Sequence, residues 1–268
     1  MRAVPVLSVA IACAACASTS GARHEGDLGG ARKQLARALL ERGDPAGARE
    51  AVDPLCRARR PDPEALAIRG VAYQKLKLVR EAEADLREAL RRNDKLAFAH
   101  STLAILLDIS GRAEEAEKHH RRAIELAPRD ARYLNNLAFS LFARGDARGA
   151  IPVFLEAVRA DPANVRVRNN LGYAYAVTGD FARAREEFER GGDARQARVN
   201  LALAYERTGA LAQAYELYVE AARLAPEDAG ARADLVRVAT ALGREIPPAG
   251  GGNMDAADKV DGKLGGGL

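Results

Sequence analysis

Gly145, Ala150, Phe154, Ala157 and Pro162 each stand 34 residues after Gly111, Ala116, His120, Ala123 and Pro128. Five coincidences at one offset mean that the chain repeats a unit of that length. A period of this size points to stacked supersecondary units, each burying its apolar face against the next. Composition says which kind. Of 268 residues 57 are Ala, the aromatics are only six Phe and seven Tyr, and Trp is absent. Ala, Leu, Arg and Glu favour helix, and the scarcity of large core residues argues against wide parallel sheets and aromatic-lined cofactor pockets. The expected fold class is all-α, built from short helices that small side chains allow to pack closely.

Laid along the chain, the period gives repeats at 29–62, 63–96, 97–130, 131–164, 165–194 and 195–228. Gly43, Gly111, Gly145, Gly179 and Gly209 recur where a first helix should end, often followed by Asp, as expected where a turn needs positive φ and the next helix needs a cap. Lys77 occupies that place in the second repeat. Ala48, Ala82, Ala116, Ala150, Ala184 and Ala214 fall at one position in all six repeats and read as contact points between paired helices. The fifth repeat is short, because Asn170-Leu171 is followed by Asn200-Leu201. Four missing residues are about one helical turn, so the apolar stripe stays in phase while the second helix loses roughly 6 Å. A half-repeat with Leu235, Val236, Val238 and Leu242 on one side should cap the domain, which spans 29–246 with its capping helix at 229–246. The stretch 247–268, opening on Pro247-Pro248 and rich in Gly, lacks the apolar content to fold and is expected to be a disordered tail. Residues 17–28 form a linker at the front.

The chain opens on Met1-Arg2, then an apolar run from Ala3 to Ala12, then small residues around Cys13 and Cys16. This is the plan of a secretory signal peptide over 1–16, too short to span a bilayer permanently. The cysteines resemble a bacterial lipobox in two registers, Ala10-Ile11-Ala12-Cys13 and Cys13-Ala14-Ala15-Cys16, so either Cys16 or Cys13 is the expected lipidation site. Ordinary cleavage at a small-residue site such as Ala15-Cys16-Ala17 is the alternative. No Asp follows either cysteine, and the resemblance therefore implies an outer-membrane anchor facing the periplasm. A chain carrying several acyl groups anchors stably, at about 0.8 kcal/mol per buried CH₂. Cys56 is left without a partner thiol and reads as buried and structural.

Net charge is +4, and acids and bases alternate at helical spacing, as in Arg183-Ala184-Arg185-Glu186-Glu187, which suits solvated faces. The longest undiluted basic run is Arg57-Ala58-Arg59-Arg60, too little for a nucleic-acid interface. His24, His100, His119 and His120 form no metal-ligand pattern, and His120 takes the place of Phe154, Phe188 and Tyr218, so it is expected to be a packed ring. Glycine-rich phosphate loops, HExxH and the nucleophile elbow are all missing. Neither catalysis nor a cofactor nor a bound metal is expected.

The Gly, Ala, aromatic, Ala and Pro pattern at this period resembles the tetratricopeptide repeat (TPR) family. The resemblance implies a right-handed superhelical solenoid of antiparallel helix pairs whose first helices line a groove for a protein or peptide partner. Carried onto this sequence, the groove positions include Phe98, Arg132, Asn135, Asn136, Phe139, Phe142, Arg166, Asn169, Asn170, Tyr173 and Asn200. Asn is a poor helix former, and three in register at Asn136, Asn170 and Asn200 need a reason beyond propensity. They either bind the backbone of an extended peptide, with Phe139, Phe142 and Tyr173 holding its side chains, or bond neighbouring repeats to each other. Asn135-Asn136-Leu137-Ala138, Asn169-Asn170-Leu171-Gly172 and Arg198-Val199-Asn200-Leu201-Ala202-Leu203 further resemble the TPR lipoproteins of tight-adherence (Flp) pilus assembly. That likeness implies a scaffold helping the pilus secretin at the cell envelope; a general periplasmic TPR adaptor for other envelope complexes is the alternative.

Overall fold

The computed structural model describes residues 28–247. The expected signal segment with Cys13 and Cys16, the linker up to residue 27, His24 and the tail from residue 248 lie outside the described residues. Among the described residues there are thirteen helices and no strand. They are α1 (28–41), α2 (Pro45–Cys56), α3 (Pro63–Lys75), α4 (Val79–Arg92), α5 (Ala97–Ile109), α6 (Ala113–Leu126) and α7 (Ala131–Ala143). Then come α8 (Ala147–Ala160), α9 (Val165–Val177), α10 (Phe181–Gly191), α11 (Ala194–Arg207), α12 (Leu211–Leu224) and α13 (Ala229–Leu242). Among the described residues the chain is all-α. It divides into two compact units, the boundary falling inside α7 between Ser140 and Leu141.

In the first unit each helix packs on the next from α2 to α6, and α3 also lies against α5. The second unit repeats this from α8 to α13, with α9 against α11. Short turns make the consecutive helices antiparallel. They close in one way: Gly111 N–H donates to the Asp108 carbonyl at 3.0 Å and Arg112 N–H reaches the Leu107 carbonyl at 2.8 Å, while Gly179 and Asp180 do the same to Ala176 and Tyr175 at 2.9 Å each. This closure needs a left-handed residue. Gly43, Gly111, Gly145, Gly179, Gly209 and Gly243 supply it, and Lys77 adopts φ 65° in the same place without being Gly. Where Asp follows the glycine it caps the next helix, Asp44 accepting from Gly47 N–H at 2.9 Å, Asp146 from Gly149 at 2.8 Å and Asp180 from Arg183 at 3.0 Å. Leu78, Arg112 and Ala210 stand at the other starts and offer no side-chain cap.

Ala48, Ala82, Ala116, Ala150, Ala184 and Ala214 are all 0% exposed, as contact points between helices require. Around them the first unit buries Ile68, Leu86, Leu103 and Leu107, and the second buries Phe154, Leu171, Phe188 and Tyr218. Each such side chain contributes about 1.5–3 kcal/mol by leaving water. A polar cross-brace joins three helices of the first unit. Arg69 of α3 forms two hydrogen bonds to Asp85 of α4, at 2.7 and 2.9 Å, and a third to Asp53 of α2 at 2.8 Å. Cys56 is buried nearby as a free thiol.

Helix α10 has 11 residues, whereas α4, α6, α8 and α12 have 14. The loss is three residues, about 4.5 Å and not the 6 Å expected, because the following turn also shortens, by two residues, while α11 is one residue longer than α9. One expectation is corrected here. Glu186-Glu187 is not a solvated pair, since Glu187 is buried and its Oε2 accepts from Arg168 of α9 at 2.7 Å. Glu187 holds the place on α10 that Asp85 holds on α4, and like Asp85 it is met there by an arginine of the preceding helix. Among the described residues no helix is long and apolar enough to cross a membrane.

Candidate functional site

In the first unit the expected groove residues sit on α5 and α7. Phe98 is half-buried, and the guanidinium of Arg37 on α1 lies 5.9 Å from its ring centroid. Arg37 is itself paired with Glu64 of α3, which Lys33 of α1 also meets at 2.7 Å, so Phe98 is overlaid by a charged strap. Asn136 donates through Nδ2 to the hydroxyl of Ser101 on α5 at 3.0 Å. That bond joins neighbouring first helices, and it leaves Oδ1 of Asn136 for other work. Arg132 is exposed, pairs with Asp130 at 2.6 Å and lies over the Tyr133 ring. Asn135 is buried and is not free. Phe139 is 50% exposed, the one large aromatic of this unit turned to solvent among the described residues.

In the second unit Phe142 is half-buried at the end of α7, and Arg166 is exposed at the start of α9 with no ion pair among the described residues. Asn170 is half-buried and is not free. Asn169 turns its Oδ1 inward, where it is buried without a hydrogen-bond partner and would stand 2.9 Å from a Cβ built on Gly191. Tyr173 donates its hydroxyl to Oδ1 of Asn200 on α11 at 3.3 Å, and Gln196 Nε2 donates to the same oxygen at 3.0 Å. Asn200 is 6% exposed. With Oδ1 taken twice, its amide is fixed in orientation, and Nδ2 is the end left to donate. Burial pushes the Tyr173 phenol up, and the nearby Arg207 guanidinium pulls it partly back.

The donors gathered here are Nδ2 of Asn200 and the exposed guanidinium of Arg207 near Tyr173, with Arg166 exposed about one turn before Asn170 on α9. Such a face suits carbonyl and carboxylate oxygens. Gln196 and Arg207 were not among the expected groove residues. Their signal was present, since the 30-residue offset that relates Asn170 to Asn200 also relates Arg166 to Gln196 and Val177 to Arg207.

Stacked antiparallel helix pairs with such closures define a helical-repeat protein. More than half of the chain matches a tetratricopeptide repeat model, over residues 33–97, 101–164 and 135–191, and a second tetratricopeptide repeat model matches 196–228. The chain belongs to the tetratricopeptide repeat family. It is a protein-interaction scaffold of a family whose members bind protein or peptide partners and are generally non-catalytic. Among solved structures it is similar to pilF of Pseudomonas aeruginosa, at 17% identity and a TM-score of 0.64, over 81% of this chain and 98% of that one. It is also similar to YrrB, described as a TPR protein with an unusual peptide-binding site, at 17% identity and a TM-score of 0.54, over 69% of this chain and 97% of that one. MamA from Desulfovibrio magneticus RS-1 is similar at 22% identity and a TM-score of 0.52, over 62% of this chain and 93% of that one. At these identities the likeness is one of fold. No curated protein is similar enough in sequence to count as a match.

Proposed function

We propose that the first-helix face of the second unit binds an extended peptide segment of an envelope protein, and that the chain does so as an outer-membrane lipoprotein facing the periplasm. The observation that carries the binding assignment is Asn200. Two neighbours hold its Oδ1, so the Nδ2 donor is preorganised and needs no ordering when a peptide carbonyl arrives. Arg166 and Arg207 add charge to the same face, and YrrB, with the same fold, is described as having a peptide-binding site. The client we favour is the secretin of a Flp-type pilus. The Asn-rich motifs of 131–228 and the lipobox-like Cys13 and Cys16 support that choice. The work done would be tethering: a membrane anchor raises the concentration of the binding face near its client, so modest affinity suffices.

The test is calorimetric titration of the full chain with peptides tiled along the periplasmic part of the secretin. Asn200→Ala combined with Arg207→Ala should weaken the bound peptide about tenfold or more, the equivalent of about 1.4 kcal/mol. Unchanged affinity would remove the face from consideration, and no binding by any peptide would remove the secretin. Fractionation in the same strain is the second arm. Replacing Cys13 and Cys16 by Ser should release the protein into the soluble periplasm, and its retention in the membrane would show that lipid is not the anchor.

A further inference from the structure

His100 of α5 and His119 of α6 meet nitrogen to nitrogen, Nδ1 to Nδ1 at 2.8 Å, with rings tilted by 33° and centroids 5.1 Å apart. At that distance one nitrogen donates and the other accepts. Nε2 of His100 lies 3.0 Å from the Asp94 carbonyl oxygen, which can only accept. Nε2 therefore carries the hydrogen of neutral His100, its Nδ1 is the lone pair, and His119 must donate from Nδ1. The neutral pair has this single arrangement. A proton on His100 sets N–H against N–H unless His119 moves its own hydrogen to Nε2. A second proton leaves two cations, each with an N–H aimed at the other, and no rearrangement removes the conflict.

The surroundings do not offset this charge. Asp94, Arg122 and Glu125 face His100, while Glu115, Arg87 and His120 face His119. The carboxylates are already committed to arginine: Arg122 pairs with Asp94 at 3.4 Å and with Glu125 at 3.0 Å, and Arg87 pairs with Glu115 at 2.5 Å. His120 is held by Asp108. A metal ion is a poorer reading of the two nitrogens, because no three His, Cys, Asp or Glu side chains converge to hold one among the described residues.

We infer that His100 and His119 form an acid-operated latch between α5 and α6, closed while at most one ring is charged and forced open when both are. Burial, then the neighbouring His100, pushes His119 down to about 4, and burial lowers His100 as well. The two titrate as a coupled pair. A folded value below the unfolded one means that the unfolded segment binds more protons. The contact is therefore fully stable above about pH 6.5 and weakens as pH falls through 6.5 toward 4. Between pH 7.5 and 5 the shift of His119 alone raises the opening equilibrium about thirtyfold.

The test is amide hydrogen exchange on the full chain at pH 7.5 and 5, corrected for the intrinsic rate, together with NMR titration of the two rings. Wild-type α5 and α6 should open about thirtyfold more at pH 5. In His119→Gln, which keeps an N–H donor toward His100 but cannot take a charge, the rise should shrink to a few-fold. Equal rises in both proteins would overturn the latch. The wild-type rings decide the matter even if the variant does not fold: a His119 that titrates near 6.5 with mixed tautomers refutes it, and a δ-protonated His119 titrating well below that value supports it.

Discussion

At the middle of α6 stands His120, 1% exposed, with Nε2 2.9 Å from the carboxylate of Asp108 on α5. At the matching place on α10 stands Phe188, 0% exposed, edge-on to the ring of Tyr173 on α9 at a centroid distance of 5.0 Å. The second carboxylate oxygen of Asp108 accepts from Ser140 on α7 at 2.8 Å, so the first pair is fastened by a directional chain of three groups. The second pair is filled by shape, with Gly172 leaving room where a Cβ would come within 2.6 Å of the Phe188 ring. A buried polar fastening, Arg168 to Glu187, lies beside it, Glu187 being the residue before Phe188. Both pairs keep the same contact alanine, Ala116 in one and Ala184 in the other. The lesson is that small residues and turn closures set where two helices meet. The central slot needs only to be filled and satisfied, and polar or aromatic chemistry will do either job.

Four substitutions would break or sharpen that contrast. The largest effect belongs to Phe188→Ala, which should cost about 3–5 kcal/mol in urea unfolding, because the ring is wholly buried and a cavity remains. His120→Phe comes next. It makes the first pair resemble the second in volume, yet it strands Oδ2 of Asp108, and a loss of about 1–3 kcal/mol is expected. Adding Asp108→Leu should then recover part of the loss; if His120→Phe alone stabilises the protein, the polar chain is dispensable. The smallest effect is Lys77→Gly, which relieves a left-handed backbone at a turn that glycine closes elsewhere. It should raise stability by about 1 kcal/mol, read as a higher urea midpoint with an unchanged slope.

The fold was legible in the sequence because its determinants recur in register. A residue that must take positive φ, or must stay small where helices touch, leaves a mark at each period, and even the exception at Lys77 stood in the right place. Pairings across helices left no such mark. His100 and His119 are 19 residues apart and Arg168 and Glu187 likewise, and whether such residues meet depends on which faces two helices present. The amides fall between these cases. Their shared register was visible, but Asn136 meets Ser101 and Asn200 meets Tyr173 only because neighbouring first helices lie side by side. Those two bonds join adjacent repeats, so stacking engages one polar atom of each amide and leaves the other for the binding proposed above.

Cys56 shows what the cross-brace of the first unit does to reactivity. A thiol beside a guanidinium is usually activated, but Arg69 is occupied by Asp85 and Asp53. Burial dominates, Arg69 only partly opposing it, and the thiol is pushed up to about 12. At neutral pH almost none of it is thiolate, the form that attacks alkylating reagents. Such a reagent must wait until α2 lifts away from α3, so the rate at which Cys56 is labelled is a stopwatch for the opening of that helix pair.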